Sequence, residues 1–93
     1  PVHRPGKIIA IGLNYQAHVD EAQVATPPAP VAFAKFPSSL TGPRAPVVID
    51  DRLTNQCDYE AELAVVIGRR TRSIAEVDAL SAVFGYAVAN DVS

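Results

Sequence analysis

The chain has 93 residues, 48% of them hydrophobic, and a net charge of −2. That is enough for one small globular domain and excludes a disordered polar chain. Acids and bases are mixed, with no basic patch and no aromatic–basic interleaving, which excludes a nucleic-acid interface. No apolar run approaches the length of a membrane span, and Cys57 stands alone, so no internal disulfide can form and a reducing, cytoplasmic compartment is expected.

Residues 1–6 read as an irregular lead-in, with His3 solvated. Residues 7–13 form a compact apolar run closed by turn-type residues, the pattern of a buried strand. Residues 16–25 carry helix formers and neither Gly nor Pro, so a short helix is expected there. Its apolar positions, Ala17, Ala22, Val24 and Ala25, make too ragged a stripe for a core helix, and a surface cover fits better. His18 and Glu21, three apart, are neighbours on one helical face. A carboxylate beside an imidazole can fix its tautomer, as in an oriented general base. An ordinary surface pair has the same spacing.

Three prolines stiffen the loop 26–30, and residues 31–36 read as a strand. Lys35 is the one cation in that run, either snorkelling at a sheet edge or binding an anion. Residues 37–43 are a turn region with Gly42-Pro43 as a breaker, residues 47–49 a short strand, and residues 50–56 a polar loop.

Residues 58–68 read as a strand entered by acids and closed by Gly68. Alternation places Glu60 and Glu62 on one face, about 7 Å apart along the backbone. Tyr59, Ala61, Leu63, Val65 and Ile67 take the other face. Past Glu62 both faces are apolar, so a strand buried on both sides is expected. Two like charges at the mouth of such a strand repel and are costly to desolvate. They face water, pair with basic side chains, or hold a divalent cation such as Mg²⁺, Mn²⁺ or Ca²⁺.

Arg69, Arg70 and Arg72 form a basic turn that reads as a solvated loop. Ser73 to Glu76 matches a capping box, and Ile74, Val77, Leu80 and Phe84 recur at roughly helical spacing, so a packing helix ended by Gly85 is expected. Residues 86–90 form a further strand with Asp91 at its end, which gives residues 60–90 the look of a β-α-β unit. No Gly-rich phosphate loop follows any strand. The fold class is α+β and strand-rich.

Four local patterns stand in register: Gly12-Leu13-Asn14-Tyr15 with His18-x-x-Glu21; residues 33–39 around Lys35; residues 58–63 around Glu60 and Glu62; and Gly85-Tyr86 through Asn90-Asp91-Val92-Ser93. Together, over residues 7–93, they resemble the catalytic domain of the fumarylacetoacetate hydrolase family. The resemblance implies a mixed β-sandwich roll, with residues 1–93 as a single partial catalytic domain, its amino-terminal part, and the remainder of the roll absent from this chain. It implies Mg²⁺ or Mn²⁺, with Ca²⁺ as a substitute, on Glu60, Glu62 and Asp91; His18 as base or proton shuttle oriented by Glu21; and Lys35 as a positive charge near the pocket. The implied activity is metal-dependent C–C bond hydrolysis of a small 2-oxo or 1,3-dicarbonyl acid of the acylpyruvate or fumarylpyruvate type, through a metal-stabilised enolate. The alternatives are a 2-hydroxyhepta-2,4-dienedioate-type isomerase or decarboxylase, a non-catalytic truncated fragment, and a binding module with a structural Ca²⁺ site. The expected partners are a small 2-oxo acid and a second copy of the chain in a homodimer, with neither nucleic acid nor membrane.

Overall fold

A computed structural model describes Val2 and residues 4–93; Pro1 and His3, with the reading of His3 as solvated, lie outside the described residues. The chain divides into two compact units, Val2–Val47 and Val48–Ser93, each described here by itself.

In the first unit, strand β1 (Ile8–Gly12) pairs antiparallel with β2 (Val31–Lys35), Ile8 opposite Lys35 and Gly12 opposite Val31. Both strands lie where apolar content places them. Helix α1 (Gln16–Glu21) stands between them in sequence and is shorter than the helix expected over 16–25. Its end has a backbone cause. Gln23 adopts the left-handed region at φ 53°, its N–H donates to the Asp20 carbonyl at 3.2 Å, and the Val24 N–H reaches back to the Val19 carbonyl at 3.4 Å. This pair of bonds is the closure usually made by a glycine past the helix end. A glutamine there leaves no mark in the sequence. Val19, at 3% exposure, is the only buried residue of α1. A 3₁₀ turn, Pro37–Ser39, opens the expected turn region, its Ser39 N–H and hydroxyl both donating to the Phe36 carbonyl at 2.9 and 2.8 Å.

Residues 47–49 belong to no strand, and Val48 is 90% exposed, so the strand expected there is absent. β-branched composition favours extended backbone, but a strand also needs a ladder partner for its polar groups. The polar loop follows as expected. Arg52 clasps the Asp50 carboxylate with two guanidinium bonds of 2.8 and 2.6 Å and its own N–H at 3.0 Å. The guanidinium bonds, helped by that N–H, hold the Asp50 carboxyl below the usual range.

Strand β3 (Ala61–Ile67) pairs antiparallel with β4 (Val83–Asn90) in a two-stranded sheet. The β-α-β reading of this segment is therefore corrected to an antiparallel pair. The connecting helix is corrected too. It is a 3₁₀ helix, Glu76–Ala82, capped at Ala75 without a side-chain bond. Ser73 sits at φ 49° and cannot cap, since a capping residue needs extended backbone. The spacing of Ile74, Val77 and Leu80 is threefold, the period of a 3₁₀ turn. Of this helix only Ala82 is buried. Gly85 does not end a helix; it lies inside β4. Arg69 is not merely solvated, because it donates to the Ser81 hydroxyl, which itself donates to the Asp78 carbonyl at 2.6 Å.

The expectation that β3 is buried on both faces fails. Leu63, Val65 and Ile67 are exposed, as are Phe84, Tyr86 and Val88 across the ladder. The opposite face carries Glu62, Ala64 and Val66, all half-buried. Hydrophobicity records what a side chain prefers, and the cover over a face must come from another element.

The register slips between Val66 and Ile67, so Val66 faces Gly85, Ile67 faces Val83, and Phe84 bulges. Gly68 lies against that bulge, where an added Cβ would stand 2.8 Å from the Phe84 Cβ and 3.3 Å from its Cα. Neither atom can rotate away. Gly68→Ala is expected to destabilise by about 1–3 kcal/mol through overpacking. Gly85→Ala, with nothing within 4 Å of its new Cβ, is expected to be neutral or stabilising by up to about 1 kcal/mol. Urea denaturation of the two variants checks the contrast, and equal losses would contradict it.

Candidate functional site

The β3–β4 register can be followed past the strand ends. Ala61 faces Asn90 and Glu62 faces Ala89. One step further, the Asp91 N–H donates to the Glu60 carbonyl at 3.0 Å. Beyond that, Asp58 and Ser93 exchange both backbone bonds, at 2.7 and 3.2 Å. Glu60 therefore stands opposite Asp91, and Glu62 lies one diagonal step away. Alternation puts all three acids, with Asp58 and Ser93, on one face of the hairpin. Directly opposed Cα atoms in such a pair are about 4.5–5.5 Å apart, and diagonal neighbours about 7–8 Å. The three acids are half-buried. Small residues flank them, with Ala89 across from Glu62 and Ala87 across from Ala64, so no bulky side chain of β4 rises beside the acids.

Glu60 is held at both ends. Its backbone N–H donates to Asn90 Oδ1 at 3.1 Å, and its Oε1 accepts from the Ser93 hydroxyl at 3.0 Å. Ser93 lies on the side of Glu60 remote from Glu62, and the carboxylate leans that way. Among the described residues no three His, Cys, Asp or Glu side chains converge closely enough to hold a metal ion. The backbone brings the three acids to one face; their carboxylates do not meet. In kind the donors suit a hard divalent cation, which takes carboxylate oxygens and fills its remaining positions with water.

The other predicted residues lie in the Val2–Val47 unit. His18 and Glu21 are both exposed on α1, one turn apart, while Val19 points inward. The side-chain bond along this helix runs from Gln16 Nε2 to Asp20 Oδ1 at 2.8 Å. A cleft of about 410 Å³ in this unit is bordered by Gln16 and Val19 of α1 and by the proline loop; His18 and Glu21 do not line it. Lys35 closes β2, half-buried, opposite Ile8. Ser93 and Asn90 are the residues that reading the sequence left without a role. The signal was present in Asn90-Asp91-Val92-Ser93, where Asp91 and Ser93, two apart in extended backbone, face the same way.

The chain is of the strand-rich α+β class, with a carboxylate face on one hairpin and a His-x-x-Glu pattern on its α-helix. More narrowly, the family described as fumarylacetoacetate (FAA) hydrolase C-terminal matches residues 7–93, and the chain belongs to it. It is 48% identical over 93 residues to the 2,4-didehydro-3-deoxy-L-rhamnonate hydrolase of Sphingomonas sp. (strain SKA58), covering all of this chain and 32% of that protein. It is 47% identical over 93 residues to the mitochondrial oxaloacetate tautomerase fahd2 of Xenopus laevis, covering all of this chain and 29% of that protein. Among solved structures, the fumarylacetoacetate hydrolase of the psychrophile Exiguobacterium antarcticum superposes with a TM-score of 0.78 at 42% identity, over 97% of this chain and 32% of that one. The chain thus spans about a third of the length of these relatives. The four patterns that carried the resemblance all lie within the matched region. Among the described residues no helix is long and apolar enough to cross a membrane.

Proposed function

We propose that this chain is part of a divalent-metal-dependent enzyme acting on a small 2-oxo or 1,3-dicarbonyl acid. The observation that carries the reading is the hairpin face shared by Glu60, Glu62 and Asp91. These residues would hold Mg²⁺ or Mn²⁺, with Ca²⁺ as a substitute. A bound cation supplies Lewis acidity to the substrate oxygens on which negative charge develops. His18 moves a proton at the substrate carbon or activates water, and Glu21 fixes its tautomer. Lys35 contributes a positive charge for the substrate's carboxylate. A homodimer, and a mixed β-sandwich roll with residues 1–93 as its amino-terminal part, complete the reading.

The relatives' names support the substrate class. A 2,4-didehydro-3-deoxy acid and oxaloacetate both carry a 2-oxo acid with a second carbonyl or carboxyl group two carbons further on. C–C bond hydrolysis of an acylpyruvate is the leading reaction. Enol–keto interconversion, suggested by the tautomerase, is the second, and both need a proton moved at the carbon between the two groups. A mitochondrial relative fits the lone cysteine as well as a cytoplasmic setting does, because both compartments are reducing.

The test is a screen of the full-length protein with Mg²⁺ or Mn²⁺ against acylpyruvates and oxaloacetate. Cleavage of an acylpyruvate is expected. Enol–keto exchange alone would select the second reaction, and inertness toward both classes would sink the reading and revive the binding module.

A further inference from the structure

We propose that Ser93 is a positioning residue for Glu60, an inference that rests on the metal reading of the carboxylate face. Glu60 is the middle acid of the hairpin, opposite Asp91 and next to Glu62. A glutamate there has three rotatable side-chain bonds and three like charges on its face, Asp58, Glu62 and Asp91, so it would otherwise swing out toward water. The Ser93 hydroxyl donates to Oε1 at 3.0 Å and leaves Oε2 without that tie. Asn90 Oδ1 accepts the Glu60 N–H at 3.1 Å, which anchors the backbone from which the side chain springs. Ser93 is itself fixed, since its own N–H and C=O both pair with Asp58, at 3.2 and 2.7 Å. The donor therefore sits on a paired backbone and not on a free loop. A carboxylate tied at one oxygen presents the other in a defined direction. Hydrogen bonds of this type to a ligating carboxylate tune affinity as well as orientation.

The same geometry has an opposite consequence that a measurement can separate. Ser93 lies on the far side of Glu60 from Glu62, so the tie could instead draw Glu60 out of the set and weaken cation binding. Ser93→Ala separates the two, since support predicts weaker cation binding in the variant and withdrawal predicts tighter binding.

The experiment is calorimetric titration of Mn²⁺ into the full-length protein as wild type, Ser93→Ala and Ser93→Thr, with the metal-free melting temperature of each. Ser93→Ala is expected to raise Kd by roughly 10–100-fold, and Ser93→Thr, which keeps the hydroxyl, to restore it, while the metal-free melting temperatures stay together. Unchanged or tighter binding by Ser93→Ala would overturn the proposal with the metal reading intact. A loss that Ser93→Thr fails to rescue would make Ser93 a packing residue and overturn it as well. Wild type that binds no Mn²⁺ would overturn the metal reading, and this inference with it.

Discussion

Asp91→Ala in the full-length protein is expected to lose most of its affinity for Mg²⁺ or Mn²⁺ and nearly all turnover of a 2-oxo acid. Asp91 is the one member of the acidic set that comes from the β4 side of the hairpin, and it stands directly across from Glu60. Two carboxylates on one strand, about 7 Å apart along the backbone, make a shallow cradle that water enters from the side. On the proposed reading the third, just past the end of β4, would close it around the cation. Losing a supporting partner of a metal ligand typically lowers affinity roughly 10–100-fold, and losing a ligand should exceed that. If Lewis-acid stabilisation supplies several kcal/mol, at about 1.36 kcal/mol per decade kcat falls roughly 10³-fold. The fold should survive, because Asp91 pairs with Glu60 through its backbone N–H, which alanine keeps. Circular dichroism checks the fold, and calorimetry checks the affinity. Asp78→Asn, an acid on the 3₁₀ helix outside the hairpin face, serves as the control with wild-type binding. An Asp91→Ala protein that binds the cation with wild-type Kd would dissociate this residue from the site.

The three acids differ in how far the sequence alone reveals them. Glu60 and Glu62 are a local matter, since alternation along one strand puts them on one face. That Asp91 joins them depends on register between segments far apart in the chain, and no local pattern encodes it. The register is set by the bulge at Phe84 and by backbone pairing that runs past both strand ends. The errors have the same origin. The apolar residues on both faces of β3 report side-chain preference, and a two-stranded sheet leaves one of those faces exposed. Residues 47–49 have strand composition without a ladder partner. In the 74–80 segment the threefold spacing is the 3₁₀ period, and the Ser-x-x-Glu pattern, which suggests a capped α-helix, is defeated by the left-handed backbone of Ser73. The early end of α1 was hidden because glutamine occupies a position where glycine would have announced the stop.

His18→Ala is expected to lower kcat of the full-length enzyme by roughly 10²–10⁴-fold, the range typical of a lost general acid or base, with cation affinity unchanged. The helix allows this test to be clean. His18 is exposed on α1, and alanine is the better helix former, so the substitution should not weaken the first unit. Its neighbour Val19 makes the opposite case. Buried to 3% exposure, it is the residue that seats α1. Val19→Ala should lower the melting temperature, through a loss of about 1–3 kcal/mol of burial and packing. Adjacent substitutions thus separate chemistry from anchoring: one should change kcat at constant stability, the other stability first. Glu21→Gln refines the assignment. If Glu21 orients the imidazole, its amide keeps the shape and loses the charge, and kcat should fall by less than in His18→Ala. Combining Glu21→Gln with His18→Ala should then add little, because a partner that acts through the imidazole has nothing left to orient. A His18→Ala enzyme with wild-type kcat would return the pair to the surface, where their exposure alone would have left them.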